Sequence, residues 1–195
     1  NQIVHLVWTD EGYAIFYKRS TNDGVTWSAD TVISSAISSP YYPCITSSGQ
    51  YVQVAWEEHH DGNGEIYWMG SSNSGISWSP EVRLTNNLST SDRPSIAASG
   101  QNIHIVWIDG RDGNWELYYK QSFDAGNNWS PDIRLTNSPF VTEGSSIIAS
   151  NSGVNIVWDD NRDGNWEIYY KRNPTGNPTG FQTINSEIPE DYILD

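Results

Sequence analysis

Two stretches of the chain gather chemically capable residues at close spacing: 109–116 (DGRDGNWE) and 160–167 (DNRDGNWE). Three kinds of chemistry would suit them. Trp115 and Trp166 could stack on sugar rings while Arg111, Arg162, Asp109 and Asp160 hydrogen-bond hydroxyls, with Arg93 of the Asp-Arg-Pro segment on the same side. Asp112, Asn114 and Glu116, and likewise Asp163, Asn165 and Glu167, alternate hard oxygen donors of the kind Ca²⁺ takes. Asp10, Glu58, Asp109 and Asp160 recur near strand ends and could ring a cation. Each idea has a structural rival. Asp-Gly-Asn is an ordinary hairpin turn, a Trp can pack between sheets, and an Arg can pair with its neighbouring Asp.

Other reactive residue types point away from chemistry. His5 and His104 fall in a slot that elsewhere holds Gln53 and Asn155, so it is a polar strand position. His59 and His60 are adjacent and should point apart, which argues against zinc. Cys44 aligns with Ser95 and Ser146, which makes it a small buried residue; as the single cysteine it leaves no internal disulfide.

Composition narrows the partners. The chain has 195 residues with 24 Asp plus Glu against 10 Lys plus Arg, a formal charge of −14. Phosphate backbones and anionic lipid should repel it, so nucleic acid is not an expected partner. No apolar run approaches the roughly 18 residues of a membrane span. Cations and neutral sugars fit better. The 10 Trp and 11 Tyr against 4 Phe suit thin β layers and ligand faces. The chain lacks an initiator Met and begins in an apolar strand, so upstream residues are expected to have been removed.

The positioning elements follow from self-similarity. Trp27, Trp78 and Trp129 are each 51 residues apart, as are Trp56, Trp107 and Trp158, while Trp8 precedes Trp56 by 48. Segments 102–121 and 153–172 agree at 13 of 20 positions. Four units of one domain therefore run over 1–50, 51–101, 102–152 and 153–195. Each reads as four strands: a run ending in Trp (Val4 to Trp8, Val52 to Trp56, Ile103 to Trp107, Val154 to Trp158), an aromatic strand, a third strand such as Glu81 to Thr85 or Asp132 to Thr136, and a small-residue strand. The last spans Cys44 to Ser47, Ser95 to Ser99, Ser146 to Ser150 and Tyr192 to Asp195. The predicted fold is all-β, a β-propeller of four-stranded antiparallel blades whose small-residue strands line the axis.

Between the second and third strands lie Ser20-Thr21-Asn22-Asp23-Gly24-Val25-Thr26-Trp27 and its counterparts at 71–78 and 122–129, the pattern S-x-N/D-x-G-x-x-W. The Asn or Asp side chain should bond backbone N–H groups two residues on, Gly supplies positive φ, and Trp closes the turn against the sheet. A fourth copy, 172–179, keeps only Gly176. The pattern resembles the Asp-box of sialidase-like (BNR-repeat) propellers. The resemblance implies that these turns are structural and lie opposite the ligand face. Because strands alternate direction, the loops at 109–116 and 160–167 share that opposite face.

Sialidases, by the same resemblance, use three arginines, a Tyr nucleophile assisted by Glu and an Asp acid/base, with an Arg-Ile-Pro motif and six blades. This chain has no Arg-Ile-Pro and four units, and Arg111 and Arg162 occupy equivalent positions. No catalytic residue is therefore assigned. The expectation is a secreted or cell-surface, non-catalytic propeller that binds a glycan or other extracellular ligand, with Ca²⁺ as the candidate cofactor and self-association open. The alternatives are a fragment of an exo-sialidase-like glycoside hydrolase, or a purely structural assembly module.

Overall fold

The computed structural model of the chain describes residues 2–10, 14–35, 39–60, 62–174 and 180–183. Among them lie fifteen strands: β1 (Val4–Thr9), β2 (Ile15–Ser20), β3 (Thr31–Val32), β4 (Tyr41–Ser48), β5 (Tyr51–Glu58), β6 (Glu65–Ser71), β7 (Val82–Arg83), β8 (Ser91–Ser99), β9 (Asn102–Asp109), β10 (Glu116–Ser122), β11 (Ile133–Arg134), β12 (Thr142–Ser150), β13 (Gly153–Asp160), β14 (Glu167–Asn173) and β15 (Gln182–Thr183). They form four antiparallel sheets ordered β1-β2-β3, β4-β5-β6-β7, β8-β9-β10-β11 and β12-β13-β14-β15. These are the blades of a propeller. Each small-residue strand pairs with the Trp strand that follows it, as Cys44 with Ala55 and Ser95 with Val106. The expected strand Tyr192 to Asp195 and Gly176 lie outside the described residues.

Adjacent blades stack face to face, and the inner strands β4, β8 and β12 pack successively on one another. Small side chains on these strands allow that approach. Because a middle blade is covered on both faces, its Trp strand is a nearly continuous apolar run rather than an alternating one. Val54 and Trp56 point toward Ile15 of the first blade, whereas Ala55 and Ile66 point toward Ile103, Ile105 and Trp107 of the third. Val106 and Leu117 then meet Ile156 and Trp158 of the fourth.

The third strands are shorter than expected, with two residues each instead of the runs 81–85 and 132–136. Pro80 and Pro131 precede these runs and have no N–H to donate. At the other end a hydroxyl replaces the backbone acceptor: Ile66 N–H donates to Thr85 Oγ1 and Leu117 N–H to Thr136 Oγ1, both at 2.8 Å. Ser34 Oγ does the same for Ile15 N–H at 2.9 Å.

The three S-x-N/D-x-G-x-x-W turns share one hydrogen-bond plan. In the first, Ser20 Oγ accepts from Gly24 N–H at 2.9 Å and Asn22 Oδ1 accepts from Thr26 N–H at 2.9 Å. The acidic or amide side chain thus reaches four residues on, not two as expected. The turn Trp also reaches across to the neighbouring blade. Trp78 meets Tyr17 of the preceding blade edge-on at 4.9 Å, and Trp129 meets Trp68 at 5.4 Å. In the fourth blade Phe181 takes that place against Tyr119 at 4.8 Å.

Candidate functional site

The end of the blades opposite these turns carries the loops β5–β6, β9–β10 and β13–β14 together with the starts of β4, β8 and β12. In the third blade the loop residues bind one another. Asp109, fully buried, accepts from Trp107 Nε1 at 2.9 Å, Ser91 Oγ at 2.9 Å and Arg111 Nε at 2.9 Å. Arg111 also pairs with Asp132 at 2.7 Å and lies 4.4 Å above the Tyr118 ring. Burial pushes the Asp109 carboxyl up, but the Arg111 and Trp107 donors outweigh it and hold it below its ordinary value. Trp115 packs into the junction with the fourth blade.

The fourth blade repeats the plan. Asp160 accepts from Thr142 Oγ1 at 2.8 Å and Arg162 Nη2 at 2.6 Å, and Arg162 stacks 4.2 Å above Tyr169. Trp166, on the face with no described neighbour, is 51% exposed.

The carboxylates suggested for Ca²⁺ accept from protein donors. Asp112 accepts from the Tyr118 hydroxyl and pairs with Arg134 at 3.1 Å. Glu116 takes Arg134 Nη2 at 2.6 Å and Ser138 N–H at 2.9 Å, while Asn114 Nδ2 donates to Glu116 at 3.1 Å. Asp163 accepts from the Tyr169 hydroxyl and Asn165 donates to Glu167 at 2.7 Å. Among the described residues no three His, Cys, Asp or Glu side chains gather as a metal would need. The suggested cation ring is likewise occupied locally. Glu58 takes the Trp56 indole N–H at 3.3 Å, the counterpart of the Trp107–Asp109 bond, whereas Asp10 is exposed. His59 turns to Glu57 and His60 to Glu58, so the two rings diverge as expected. Cys44 donates to Ala55 O at 3.5 Å, and burial pushes its thiol up to about 12, which keeps it unreactive.

Nearer the axis the blades differ from one another. The starts of β4, β8 and β12 each carry a register shift, between Tyr41 and Cys44, Asp92 and Ser95, and Thr142 and Ser145. At the first two bulges Tyr42 (φ 48°) and Arg93 (φ 51°) hold positive φ without being glycine. Such backbone is costly for a side-chain-bearing residue, and bulges re-aim side chains. Here they present Tyr42 and Arg93, with Arg93 Cζ 5.8 Å from the Tyr42 ring. Arg93 also reaches Asp92 at 3.5 Å and Glu143 at 3.7 Å.

Beneath them the Glu57 carboxyl is buried beside that of Asp92. Burial first, and then the neighbouring Asp92 carboxyl, pushes Glu57 up to about 9. His59 Nε2 contacts Glu57 Oε1, and the His59 ring meets Tyr41 edge-on at 5.5 Å. Of the residues expected in a ligand site, only Arg93 belongs to this axial group. Tyr41, Tyr42, Glu57, His59 and Asp92 were missed. Their signal was divergence: Glu57 stands where the next units have Ile108 and Asp159, and Arg93 where they have Tyr42 and Gly144.

A recess of about 300 Å³ lies on the opposite, turn-bearing side, lined by residues including Tyr51, Trp68, Trp78 and Asn127. Its lining holds no Asp, Glu, Lys or Arg.

Antiparallel blades of three or four strands, joined by aromatic-filled junctions, define a β-propeller fold. Solved structures agree on this. The chain superposes on a polysaccharide lyase of the ulvan lyase type with TM-score 0.64 and 14% identity, covering 93% of this chain and 52% of that one. A Hadza microbial sialidase gives 0.62 and 15%, covering 94% and 44%. An endo-arabinanase from Bacillus licheniformis gives 0.55 and 13%, covering 89% and 68%. The chain thus spans from under half to about two thirds of the length of these proteins. No protein-family model and no curated protein matches the sequence.

Proposed function

We propose that the chain is an extracellular glycan-binding propeller whose ligand sits at the axial mouth, against Tyr41, Tyr42, His59, Asp92 and Arg93. The supporting observation is the pair of positive-φ bulges that present Tyr42 and Arg93 where the blades cease to resemble one another. A sugar needs an aromatic face and a few directed polar groups, and one ligand gripped from distinct directions needs unlike side chains around it. Arg111 and Arg162 act in this reading as braces for their loops, and the exposed Trp166 belongs to the edge of the molecule.

The non-catalytic reading is supported by the arginines: Arg111 and Arg162 pair with Asp109 and Asp160 of their own loops rather than converging with Arg93 on one ligand. The test is a glycan array followed by calorimetry, with a fluorogenic sialoside and arabinobiose as turnover controls. Binding without turnover is the expected result; hydrolysis of either control would favour the glycoside hydrolase alternative.

A further inference from the structure

We propose that the two outer faces of the blade row bind each other between copies of this chain, head to tail, with Trp27 of one copy seated on Tyr170 of the next. The argument comes from the three junctions inside the molecule, which follow one pattern. A blade offers its follower the pair Val7 and Ile15, Ala55 and Ile66, or Val106 and Leu117. The follower answers with Val54 and Trp56, Ile105 and Trp107, or Ile156 and Trp158. An aromatic residue of the first blade then receives the turn ring of the second: Tyr17 takes Trp78, Trp68 takes Trp129 and Tyr119 takes Phe181.

Among the described residues, each end of the row carries one half of this pattern uncovered. On the fourth blade Val157 and Ile168 occupy the places of Val106 and Leu117. Leu117 is fully buried, yet Ile168 is 56% exposed. On the first blade Leu6 occupies the place of the fully buried Val54 and is 44% exposed. Trp27, the counterpart of Trp78 and Trp129, is 40% exposed. Tyr170 stands where Tyr17, Trp68 and Tyr119 stand in the other blades.

The space for a ring is present as well. A Cβ on Gly75 would lie 1.8 Å from Tyr17, and one on Gly126 would lie 2.1 Å from Trp68, because those rings sit on the glycines. A Cβ on Gly24 would meet only its own turn's Trp27, at 3.8 Å. The turn of the first blade therefore has the shape of a junction turn with the partner ring missing. The described residues offer one face of each type, and the occupant that matches both is a second copy. Such a contact joins unlike surfaces and propagates, into a ring or an open row.

The experiment uses the 195-residue chain with Leu6→Asp, which blocks the first-blade face, and Ile168→Asp, which blocks the fourth. Mass in solution is read by light scattering on a sizing column and by sedimentation. Wild type should associate with rising concentration, and each variant alone should be a monomer. An equimolar mixture should form a pair and nothing larger, because each partner contributes one intact face. Adding Trp27→Ala to the Ile168→Asp partner should weaken the pair by roughly tenfold or more. Adding it to the Leu6→Asp partner should change nothing. If an aspartate variant melts below wild type, Leu6→Gln and Ile168→Gln take their place. A wild-type chain that stays monomeric, single variants that still self-associate, or a mixture that stays monomeric would each overturn the proposal.

Discussion

The carboxyl of Glu57 on β5 is buried beside that of Asp92 on β8, across the junction of the second and third blades, and burial together with this neighbour raises the Glu57 pKa. Burial first, and then the neighbouring carboxyl, disfavour the charged form of Glu57, so Glu57 keeps its proton at neutral pH. A pH signature follows.

The native pKa of Glu57, about 9, lies above its ordinary value of 4.5. Between those values the folded chain holds a proton that the unfolded chain releases, so this group lowers stability as pH rises from about 5 to about 9. One proton corresponds to a slope of at most about 1.4 kcal/mol per pH unit. Glu57→Gln should flatten that slope and melt above wild type at pH 8. Thermal melts across pH 5–9 give the readout, and an unchanged slope in the variant would remove Glu57 as its source.

The acid side has the opposite sign. Asp109 and Asp160 are held below the ordinary carboxylate range, so their contribution is present at neutral pH and lost as pH falls below about 4. His104, buried against the Tyr119 hydroxyl and lowered to about 4, adds to the loss between about 6.5 and 4 because it must take up a proton on unfolding. Arg111→Ala leaves the Asp109 charge buried without its main partner and should cost about 3 kcal/mol at pH 7. Chemical denaturation measures it. A loss of glycan binding at unchanged stability would mean that Arg111 serves ligand rather than loop.

These two results bear on how much of the molecule the sequence discloses. The 51-residue spacing of Trp56, Trp107 and Trp158 discloses the blades, because each Trp must fill a junction of the same depth. The short third strands are harder to read, since they depend on the Thr85 and Thr136 hydroxyls replacing a backbone acceptor. Residues 109–116 read as a candidate ligand site from sequence because a network of Asp, Arg, Asn and Trp that holds a loop uses the same residue types as one that holds a ligand. Partner choice separates the two, and partners are set in three dimensions. Tyr42 and Arg93 are legible only as departures from the repeat, and nothing in their local sequence announces positive φ.

The glycines of the turns differ in what surrounds them. Gly126→Ala places a methyl group 2.1 Å from the Trp68 ring at φ 90°, whereas Gly24→Ala meets the same kind of backbone strain in open space. Both variants should be destabilised, and Gly126→Ala by about 1–3 kcal/mol more, the usual cost of overpacking. Equal losses in denaturant titrations would show that backbone strain alone decides both.

The axial mouth is tested most directly by calorimetry of the whole chain against a glycan selected on an array, comparing wild type with Tyr42→Ala, Arg93→Ala, Arg162→Ala and Trp166→Ala. Removing a stacking ring or a charged hydrogen bond costs about 1.5–3 kcal/mol, which is roughly 10- to 100-fold in affinity. The account predicts that loss for Tyr42→Ala and Arg93→Ala at unchanged melting temperature, with Arg162→Ala and Trp166→Ala binding as wild type. Full affinity in both axial variants, or affinity lost with Trp166→Ala instead, would contradict it.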